Sequence, residues 1–345
     1  MPGRRAACLP PQAGTCGGSA SGRGCDQARG TACQPARRGG QTAAGRWMRG
    51  RGMMRDGAGR MDEAPEAILA ALDRDARRIE TPCGAGRMAW RVWGPADEDA
   101  APLVLFHGGS GSWRHWARNI LPLARHRLVV CPDLPGLGES ALPPPADTPA
   151  PVAAVVRAGL ADILGPGRRY DLCGFSFGAL LAGHVAAQAG EELRSVTLVG
   201  AGALGLRRQV TELVKVRSVA GEARLAAHRH NLASLMFADA HNIDALALAI
   251  QEANTQAARF KSRGFASSTS LKDAIARARC PVALLYGERD AIAWPELELR
   301  FQALREVQPE AWTGVIPGAG HWVAYEAAEA FNAVLLDMLR RRIGL

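Results

Sequence analysis

Short apolar runs alternate along the chain with segments of helical length, and this alternation constrains the fold more than any other feature. The apolar runs are PLVLFHG at 102–108, RLVVCPDL at 127–134, YDLCGFS at 170–176, SVTLVGAG at 195–202 and PVALLYGERD at 281–290. Such runs, bounded by turn residues, are typical of strands buried on both faces. Helix-length segments at 151–164 and 177–189 separate them. The sequence therefore predicts an α/β fold, in which helices cover both faces of a mostly parallel central sheet.

The rest of the folded region is predicted around this alternation. A helix is expected over Ala64–Ile79 and a strand over 88–94. Between about 205 and 279, Ala, Leu, Arg and Glu dominate without a strand pattern, which predicts a helical lid inserted into the core. An amphipathic helix is expected from about Tyr325 to Arg342. We therefore expect two core segments, 61–204 and 280–345, with the lid at 205–279 between them.

The first 60 residues have a different composition. They contain 11 Arg, no Lys and only two acidic residues, Asp26 and Asp56, so 11 minus 2 accounts for the whole net charge of +9. They also hold 14 of the 39 Gly and almost no large hydrophobic residues, which predicts a disordered tail. The native start is expected downstream, with Met61 as the best candidate. Because the folded part is electrically neutral, a basic groove for nucleic acid is not predicted.

Composition and cysteine placement favour a soluble protein. Hydrophobic residues make up 48% and charged residues 22% of the chain, as in globular proteins. No apolar run reaches the roughly 18 residues of a membrane-spanning helix. Four of the eight cysteines lie in the tail, and the others are far apart in sequence: Cys83, Cys131, Cys173 and Cys280. Small buried thiols are expected rather than disulfides, which favours a reducing, cytoplasmic setting.

The motif Gly174-Phe175-Ser176-Phe177-Gly178 follows a predicted strand directly and precedes a predicted helix. A serine hydroxyl is a weak nucleophile and must be held exposed on a tight turn, which flanking glycines permit. A glycine-rich turn without chemistry is the alternative. The position between a buried strand and a helix favours Ser176 as a catalytic nucleophile.

A nucleophilic serine needs a base and an acid that orients the base. Asp290 ends a predicted strand, and His321 follows 31 residues later. Both are expected at the carboxyl edge of the sheet, where α/β proteins gather functional groups. Glu288 is the competing acid. We therefore predict Ser176 as nucleophile, His321 as general base and Asp290 as orienting acid.

The remaining histidines are interpreted as structural. His184 is expected to pack on its helix, whereas His115 and His126 are expected beside surface turns. His228 and His230 are two residues apart, which on a helix points them to different sides. No metal site and no cofactor are predicted.

The tetrahedral intermediate of acyl transfer needs backbone N–H donors for its oxyanion. The amide of Phe177, directly after the nucleophile, and that of Gly109, in the glycine-rich turn 107–111, are the predicted donors. Ser110, Phe175 and Trp322 are predicted to contact substrate. His107 is interpreted as structural.

Four motifs together resemble the α/β-hydrolase superfamily over residues 85–345. They are HGGSGSW at 107–113, DLPGLGES at 133–140, GFSFG at 174–178 and the pair GERD and GAGHW near the end. The resemblance implies an α/β-hydrolase fold with a helical lid. A serine at the nucleophile position disfavours the dehalogenase and epoxide hydrolase branches, which use an aspartate there.

The segment Gly320–Leu339, with Trp322 after the histidine, is similar to hydrolases that cleave carbon–carbon bonds in meta-cleavage products of aromatic catabolism. The chain departs from that pattern at two positions. Phe175 stands where those enzymes commonly have Asn, and Gln251 stands where their lid arginine binds the substrate carboxylate. Nearby cations that could substitute for it are Arg259, Lys261 and Arg263.

Hydrolysis of a small hydrophobic carboxylic ester or related acyl substrate is therefore the first functional hypothesis. Phe175, Phe177 and Trp322 around the nucleophile indicate an apolar pocket for a small molecule. Hydrolysis of vinylogous diketo acids at a C–C bond is the alternative, and a non-catalytic ligand-binding scaffold is the second alternative. No nucleic-acid or membrane partner is predicted, and a homodimer stays open.

Overall fold

The computed structural model describes residues 63–95, 100–207, 211–261, 265 and 268–341. The predicted tail at 1–60, its four cysteines, the candidate start Met61 and the candidate cation Arg263 lie outside these residues. Among the helices that the structure describes, none is long and apolar enough to cross a lipid bilayer.

In the described part of the chain, eight strands form one sheet, in the spatial order β1-β2-β4-β3-β5-β6-β7-β8. Their bounds are β1 Arg77–Cys83, β2 Gly86–Trp93, β3 Leu103–Phe106, β4 Val129–Pro132, β5 Tyr170–Phe175, β6 Leu193–Val199, β7 Val282–Gly287 and β8 Trp312–Ile316. The six strands from β3 to β8 are parallel, and β2 pairs antiparallel with both β1 and β4. The predicted mostly parallel sheet is confirmed.

Ten α-helices complete the described fold. Their bounds are α1 Pro65–Asp75, α2 Ile120–Ala124, α3 Pro149–Leu164, α4 Phe177–Gln188, α5 Gly221–Leu235, α6 Ala245–Ala257, α7 Ser270–Ile275, α8 Leu297–Arg305, α9 Val323–Glu326 and α10 Ala328–Arg341. The predicted closing helix is therefore two helices. Short 3-10 helices lie at Trp113–Trp116, Val216–Ser218 and Ala240–Asn242.

Two hydrophobic cores lie on the two faces of the sheet because successive strand residues point to opposite sides. In β3, Val104 and Phe106 join the core formed with α3, α4, α7 and α8. Leu103 and Leu105 join the core formed with α1, α2, α9 and α10. Helices on both faces, as predicted, are thus required to bury both sets of side chains.

The predicted first helix extends too far. It ends at Asp75, and the chain continues from Arg77 as β1, in which Ile79 lies opposite Trp90 of β2. A short run with both charged and apolar residues fits either periodicity, and pairing with β2 decides it. The sequence does not predict the edge strand β8, because only one of its five residues, Ile316, is buried and the segment therefore lacks a continuous apolar run.

The segment between β6 and β7 contains α5, α6 and α7, and no strand lies among its described residues. Helix α7 packs directly on α4. A Cβ atom at Gly183 of α4 would lie 2.2 Å from Leu271 Cδ1 of α7, and Leu271 and Ile275 are fully buried in the sheet core. The last part of the predicted insertion therefore belongs to the helical layer on one face of the sheet.

Candidate active site

Ser176 lies on the sharp turn between β5 and α4, with φ of 52° and ψ of −112°. A positive φ is rare for a residue with a side chain and marks a strained, sharply turned backbone. The flanking glycines allow the turn to close. A Cβ atom at Gly174 would lie 2.3 Å from the Gly178 carbonyl oxygen, and one at Gly178 would lie 2.4 Å from that of Phe106. Strand, turn and helix can approach this closely only without those side chains.

A continuous line of hydrogen bonds joins Asp290, His321 and Ser176. His321 Nδ1 lies 2.8 Å from Asp290 Oδ2, and His321 Nε2 lies 3.0 Å from Ser176 Oγ. Since an ionised carboxylate only accepts hydrogen bonds, Nδ1–H donates to Asp290, and Nε2 can accept from the serine hydroxyl. Asp290 is fully buried and His321 is 3% exposed. The arrangement can transfer the hydroxyl proton of Ser176 to His321.

The two acids considered from the sequence, Asp290 and Glu288, have different surroundings. Asp290 Oδ1 accepts from the Ile292 N–H at 3.0 Å, while Oδ2 contacts His321. Glu288 is exposed, and its Oε2 accepts from the Gly318 N–H at 2.8 Å. The structure therefore brings Asp290, and not Glu288, to the histidine.

Glu326 anchors the loop that carries His321, a role that no sequence pattern indicated. Its Oε2 accepts from the Gly320 N–H at 2.7 Å and from the Ala238 N–H of the insertion at 2.9 Å. A Cβ atom at Gly320 would lie 2.5 Å from the Ala238 nitrogen, so the two segments are in close contact. The position of His321 therefore depends on the insertion as well as on the sheet.

Two buried histidines shape the glycine-rich turn after β3. His107 Nδ1–H donates to the Gly108 carbonyl and its Nε2 accepts from the Leu134 N–H, both at 2.8 Å. The expectation that His115 lies beside a surface turn is wrong, since it is 2% exposed and its Nδ1 accepts from the Gly108 N–H at 3.2 Å. Burial, and then the neighbouring His107, lowers the pKa of His115 well below its usual value. A neutral His115 thus supports the turn.

The two predicted oxyanion donors, Gly109 and Phe177, line the same cavity as Ser176. Phe177 is the first residue of α4, and the first-turn amides of a helix have no acceptor within it. Neither amide donates to another group among the described residues. Ser110, predicted to contact substrate, also lines the cavity and has φ of 54°.

The cavity above Ser176 has a volume of about 870 Å³. Much of its lining is aliphatic or aromatic, as predicted. The larger of these apolar residues are Phe175, Phe177, Leu180, Leu206, Leu213, Val214, Val216, Leu235, Met236, Phe260 and Ile292. The rings of Phe177 and Phe260 lie 5.8 Å apart, so the nucleophile turn and the insertion share one wall.

The structure places Trp322, which was predicted to contact substrate, away from the cavity. Its side chain is fully buried, stacks on Tyr325 with ring centroids 4.2 Å apart, and does not line the cavity. Its Nε1–H donates to the His115 carbonyl at 3.0 Å. Phe175 is 1% exposed but does line the cavity, consistent with its predicted place near substrate. Trp322 instead packs behind the site.

The insertion contributes polar residues to the cavity wall. Gln251, which replaces the expected lid arginine, lines the cavity together with Arg259 and Lys261. The Arg259 guanidinium donates to the Ser140 carbonyl, which ties the insertion to the turn after β4. Two of the three candidate cations are therefore at the cavity.

Among the described residues, no three His, Cys, Asp or Glu side chains are grouped to hold a metal ion. The paired histidines of α5 have separate partners. His228 Nε2 lies 2.5 Å from Glu252 Oε2, and His230 Nε2 lies 3.3 Å from the Glu212 carbonyl. These contacts are structural.

Comparison with known proteins identifies the family. Residues 103–334, from β3 into α10, match the Alpha/beta hydrolase family. The chain belongs to this family. The predicted superfamily and fold are thereby confirmed, and the protein is an α/β-fold hydrolase.

Curated relatives of this α/β-hydrolase differ in the reactions that their names state. One relative is the dihydrolipoyllysine-residue acetyltransferase component of an acetoin cleaving system from Pseudomonas putida. The two sequences are 31% identical over 257 residues, and the alignment covers 71% of this chain and 65% of that protein. Another is a 2-hydroxy-6-oxononadienedioate/2-hydroxy-6-oxononatrienedioate hydrolase from Burkholderia vietnamiensis. It is 26% identical over 255 residues, and the alignment covers 69% of this chain and 87% of that protein. The similarity to C–C hydrolases noted in the sequence is thus confirmed.

Solved structures agree on the fold of this α/β-hydrolase. Carboxylesterase CesB from Bacillus subtilis superposes with a TM-score of 0.62 at 17% sequence identity, covering 80% of this chain and 95% of that one. Identity this low shows the fold alone.

Proposed function

We propose that this α/β-hydrolase is a serine hydrolase of small hydrophobic carboxylic esters, with Ser176, His321 and Asp290 as its catalytic triad. The observation that carries the proposal is the line of hydrogen bonds from Asp290 through His321 to Ser176, which ends at a largely apolar cavity. An apolar cavity suits an ester whose acyl or alcohol group is hydrophobic where it adjoins the ester bond.

In the first step, Ser176 Oγ attacks the ester carbonyl carbon while His321 Nε2 takes the hydroxyl proton. Asp290 stabilises the imidazolium that forms because its Oδ2 accepts the Nδ1–H at 2.8 Å. The tetrahedral intermediate then expels the alcohol, which takes its proton from His321. An acyl group remains on Ser176 Oγ.

In the second step, His321 deprotonates a water molecule that attacks the acyl carbon, and the proton returns to Ser176 as the carboxylic acid leaves. In both steps the carbonyl oxygen carries negative charge, for which the N–H groups of Gly109 and Phe177 are the proposed donors. Their lack of acceptors among the described residues supports this assignment.

Hydrolysis of a C–C bond is the second candidate function, favoured by relatives whose names state dienoate and dienedioate substrates. The same three residues would serve after ketonisation of a vinylogous diketo acid. Gln251 stands where those enzymes have an arginine for the substrate carboxylate, although Arg259 and Lys261 line the same cavity. We place ester hydrolysis first because the chain departs from the C–C hydrolase pattern at Phe175 as well as at Gln251.

A reducing, cytoplasmic location is proposed because three buried cysteines are in the thiol form. Cys83, Cys131 and Cys173 are buried thiols that form no disulfide with one another or with any other described residue. Burial raises the pKa of each of them, so they are poor nucleophiles and compete little with Ser176.

A fluorophosphonate probe tests the nucleophile. Labelling is expected for the wild type and for Ser218→Ala, a control serine at the cavity wall, but not for Ser176→Ala. Persistent labelling of a folded Ser176→Ala protein would place the nucleophile at another residue, and no labelling of the folded wild type would favour a binding scaffold. Either result would overturn the proposal.

A panel of 4-nitrophenyl esters and a 2-hydroxy-6-oxo-dienoate separates the two reactions. Faster turnover of at least one ester than of the dienoate is expected. C–C cleavage far faster than hydrolysis of every ester would reverse the ranking.

A further inference from the structure

The cavity wall carries charge of one sign. Its lining includes five cationic side chains, and no Asp or Glu is among the lining residues that the structure describes. The cations are Lys215, Arg217, Arg259, Lys261 and Arg300. None of them has a carboxylate partner within 4.0 Å among the described residues. This wall favours a bound anion over a neutral or cationic molecule.

Arg300 differs from the other four cations by its burial. It lies on α8 and is 3% exposed, whereas the others are exposed side chains of the insertion. Its Nη2 donates to the carbonyl oxygens of Ile292, at 2.7 Å, and Arg207, at 2.9 Å. Its buried Nε has no hydrogen-bond partner among the described residues, while its guanidinium also interacts with the buried Tyr286 hydroxyl.

A buried guanidinium without a carboxylate is energetically unfavourable, since backbone carbonyls satisfy donors but do not neutralise the charge. Elsewhere in the protein buried arginines are neutralised: Arg91 contacts Asp133 at 3.3 Å, and Arg127 contacts Asp171 at 3.1 Å. Arg300 is the exception among these three, and it is the one that lines the cavity.

The position of Arg300 also connects it to the reacting groups. Ile292, whose carbonyl accepts from Arg300, donates its own N–H to Asp290 Oδ1. The guanidinium is therefore fixed relative to the acid that orients His321. An anion held by Arg300 would have a defined position relative to Ser176.

We propose that Arg300 is a specificity-determining residue that binds a carboxylate group of the substrate. This inference rests on the proposed ester hydrolysis and narrows its substrate class to esters with an apolar middle part and an anionic end. The exposed cations of the insertion attract such a substrate to the cavity, and Arg300 holds it by a charge-assisted hydrogen bond.

Matched esters test the proposal on either side of the scissile bond. For the acyl side, the 4-nitrophenyl monoester of adipic acid is compared with 4-nitrophenyl 6-methylheptanoate, in which an isopropyl group replaces the carboxylate. For the alcohol side, 3-carboxyphenyl butyrate is compared with 3-acetylphenyl butyrate. In at least one pair we expect wild-type kcat/KM, after subtraction of spontaneous hydrolysis, to be at least about tenfold higher for the anion.

Variants separate substrate binding from a purely structural role. Arg300→Met should lower kcat/KM at least about tenfold for the preferred anionic ester and less than about threefold for its neutral partner. Arg300→Lys should restore part of the preference because it retains the charge. Arg305→Met, an exposed position on the same helix, is the matched control and should leave the preference unchanged.

The outcomes distinguish this inference from the proposed function. If folded wild type hydrolyses both pairs without preferring the anion, or if Arg300→Met lowers both members of a pair equally, the carboxylate subsite is wrong while ester hydrolysis stands. If Ser176 fails to label and no ester is hydrolysed, the proposed function fails first. Calorimetry of adipate binding to Ser176→Ala and to Ser176→Ala/Arg300→Met then tests the subsite: weaker binding by the double variant is expected, and equal binding would overturn the role of Arg300.

Discussion

The ring of Phe175 packs against the imidazole of His321, with ring centroids 4.9 Å apart and planes inclined by 48°. Phe175 also contacts His115, at 5.7 Å between centroids, and is 1% exposed. The residue before the nucleophile therefore forms part of the wall that holds the proposed general base in place.

Replacing Phe175 with a smaller residue should lower both the stability of the fold and the activity. Phe175→Ala removes a buried ring and should lower the free energy of unfolding by about 3–5 kcal/mol. It should also lower kcat because His321 can tilt away from Ser176. Phe175→Leu, which keeps more of the volume, should lose less of both. Urea denaturation and ester kinetics measure the effects, and an Ala variant as stable as wild type would contradict this role.

Asp290→Asn tests the orienting acid. An amide that presents its N–H₂ group to His321 Nδ1 favours the wrong tautomer. The same substitution in a well-studied Ser-His-Asp protease lowers kcat by about 10⁴-fold, and a fall of that order is expected here. Glu288→Gln is the matched control, since the Glu288 side chain is exposed and, among the described residues, accepts a hydrogen bond only from the Gly318 N–H. It should change kcat less than about threefold. Equal losses in both variants would remove the distinction that the structure draws between the two acids.

Gly178→Ala should prevent the nucleophile turn from closing. The added methyl group would lie 2.4 Å and 2.5 Å from the carbonyl oxygens of Phe106 and His107, and neither backbone atom can move easily. We expect the free energy of unfolding to fall by about 3 kcal/mol or more. In the control Gly190→Ala, the added methyl group would contact only the flexible end of the Glu192 side chain. The free energy of unfolding should then change by less than about 1 kcal/mol. Thermal unfolding of both variants is the measurement.

Stability should fall with acidification through the buried His184. Burial, with a smaller effect of Arg277, lowers its pKa from 6.5 to about 4, so the unfolded chain binds a proton more readily than the folded protein. The stabilisation is present above pH 6.5 and is lost progressively as the pH falls toward 4, by up to about 1.4 kcal/mol per pH unit. Denaturation at several pH values should show a flatter dependence for His184→Gln. Identical slopes for the wild type and His184→Gln would contradict the assignment.

Much of the fold could be predicted because it follows from local patterns. A run such as 170–176 is apolar on both faces, so it must be covered by helices on both sides, and the glycines around Ser176 fit only a tight turn. The boundary after α1 could not be predicted, since Arg77–Cys83 becomes a strand through pairing with β2. Where a sequence pattern fits both a helix and a strand, the contacts with neighbouring segments determine which of the two forms.

The sequence by itself determined which residue types were available for chemistry: a serine on a strand-to-helix turn, and an aspartate and a histidine after later strands. Only the tertiary structure decided which side chains meet. It directed Asp290 rather than Glu288 to His321, buried Trp322 behind the site, and left Arg300 at the cavity without a carboxylate partner among the described residues. The physical reason is that the direction of a loop side chain depends on contacts between segments far apart in sequence, which no local pattern contains.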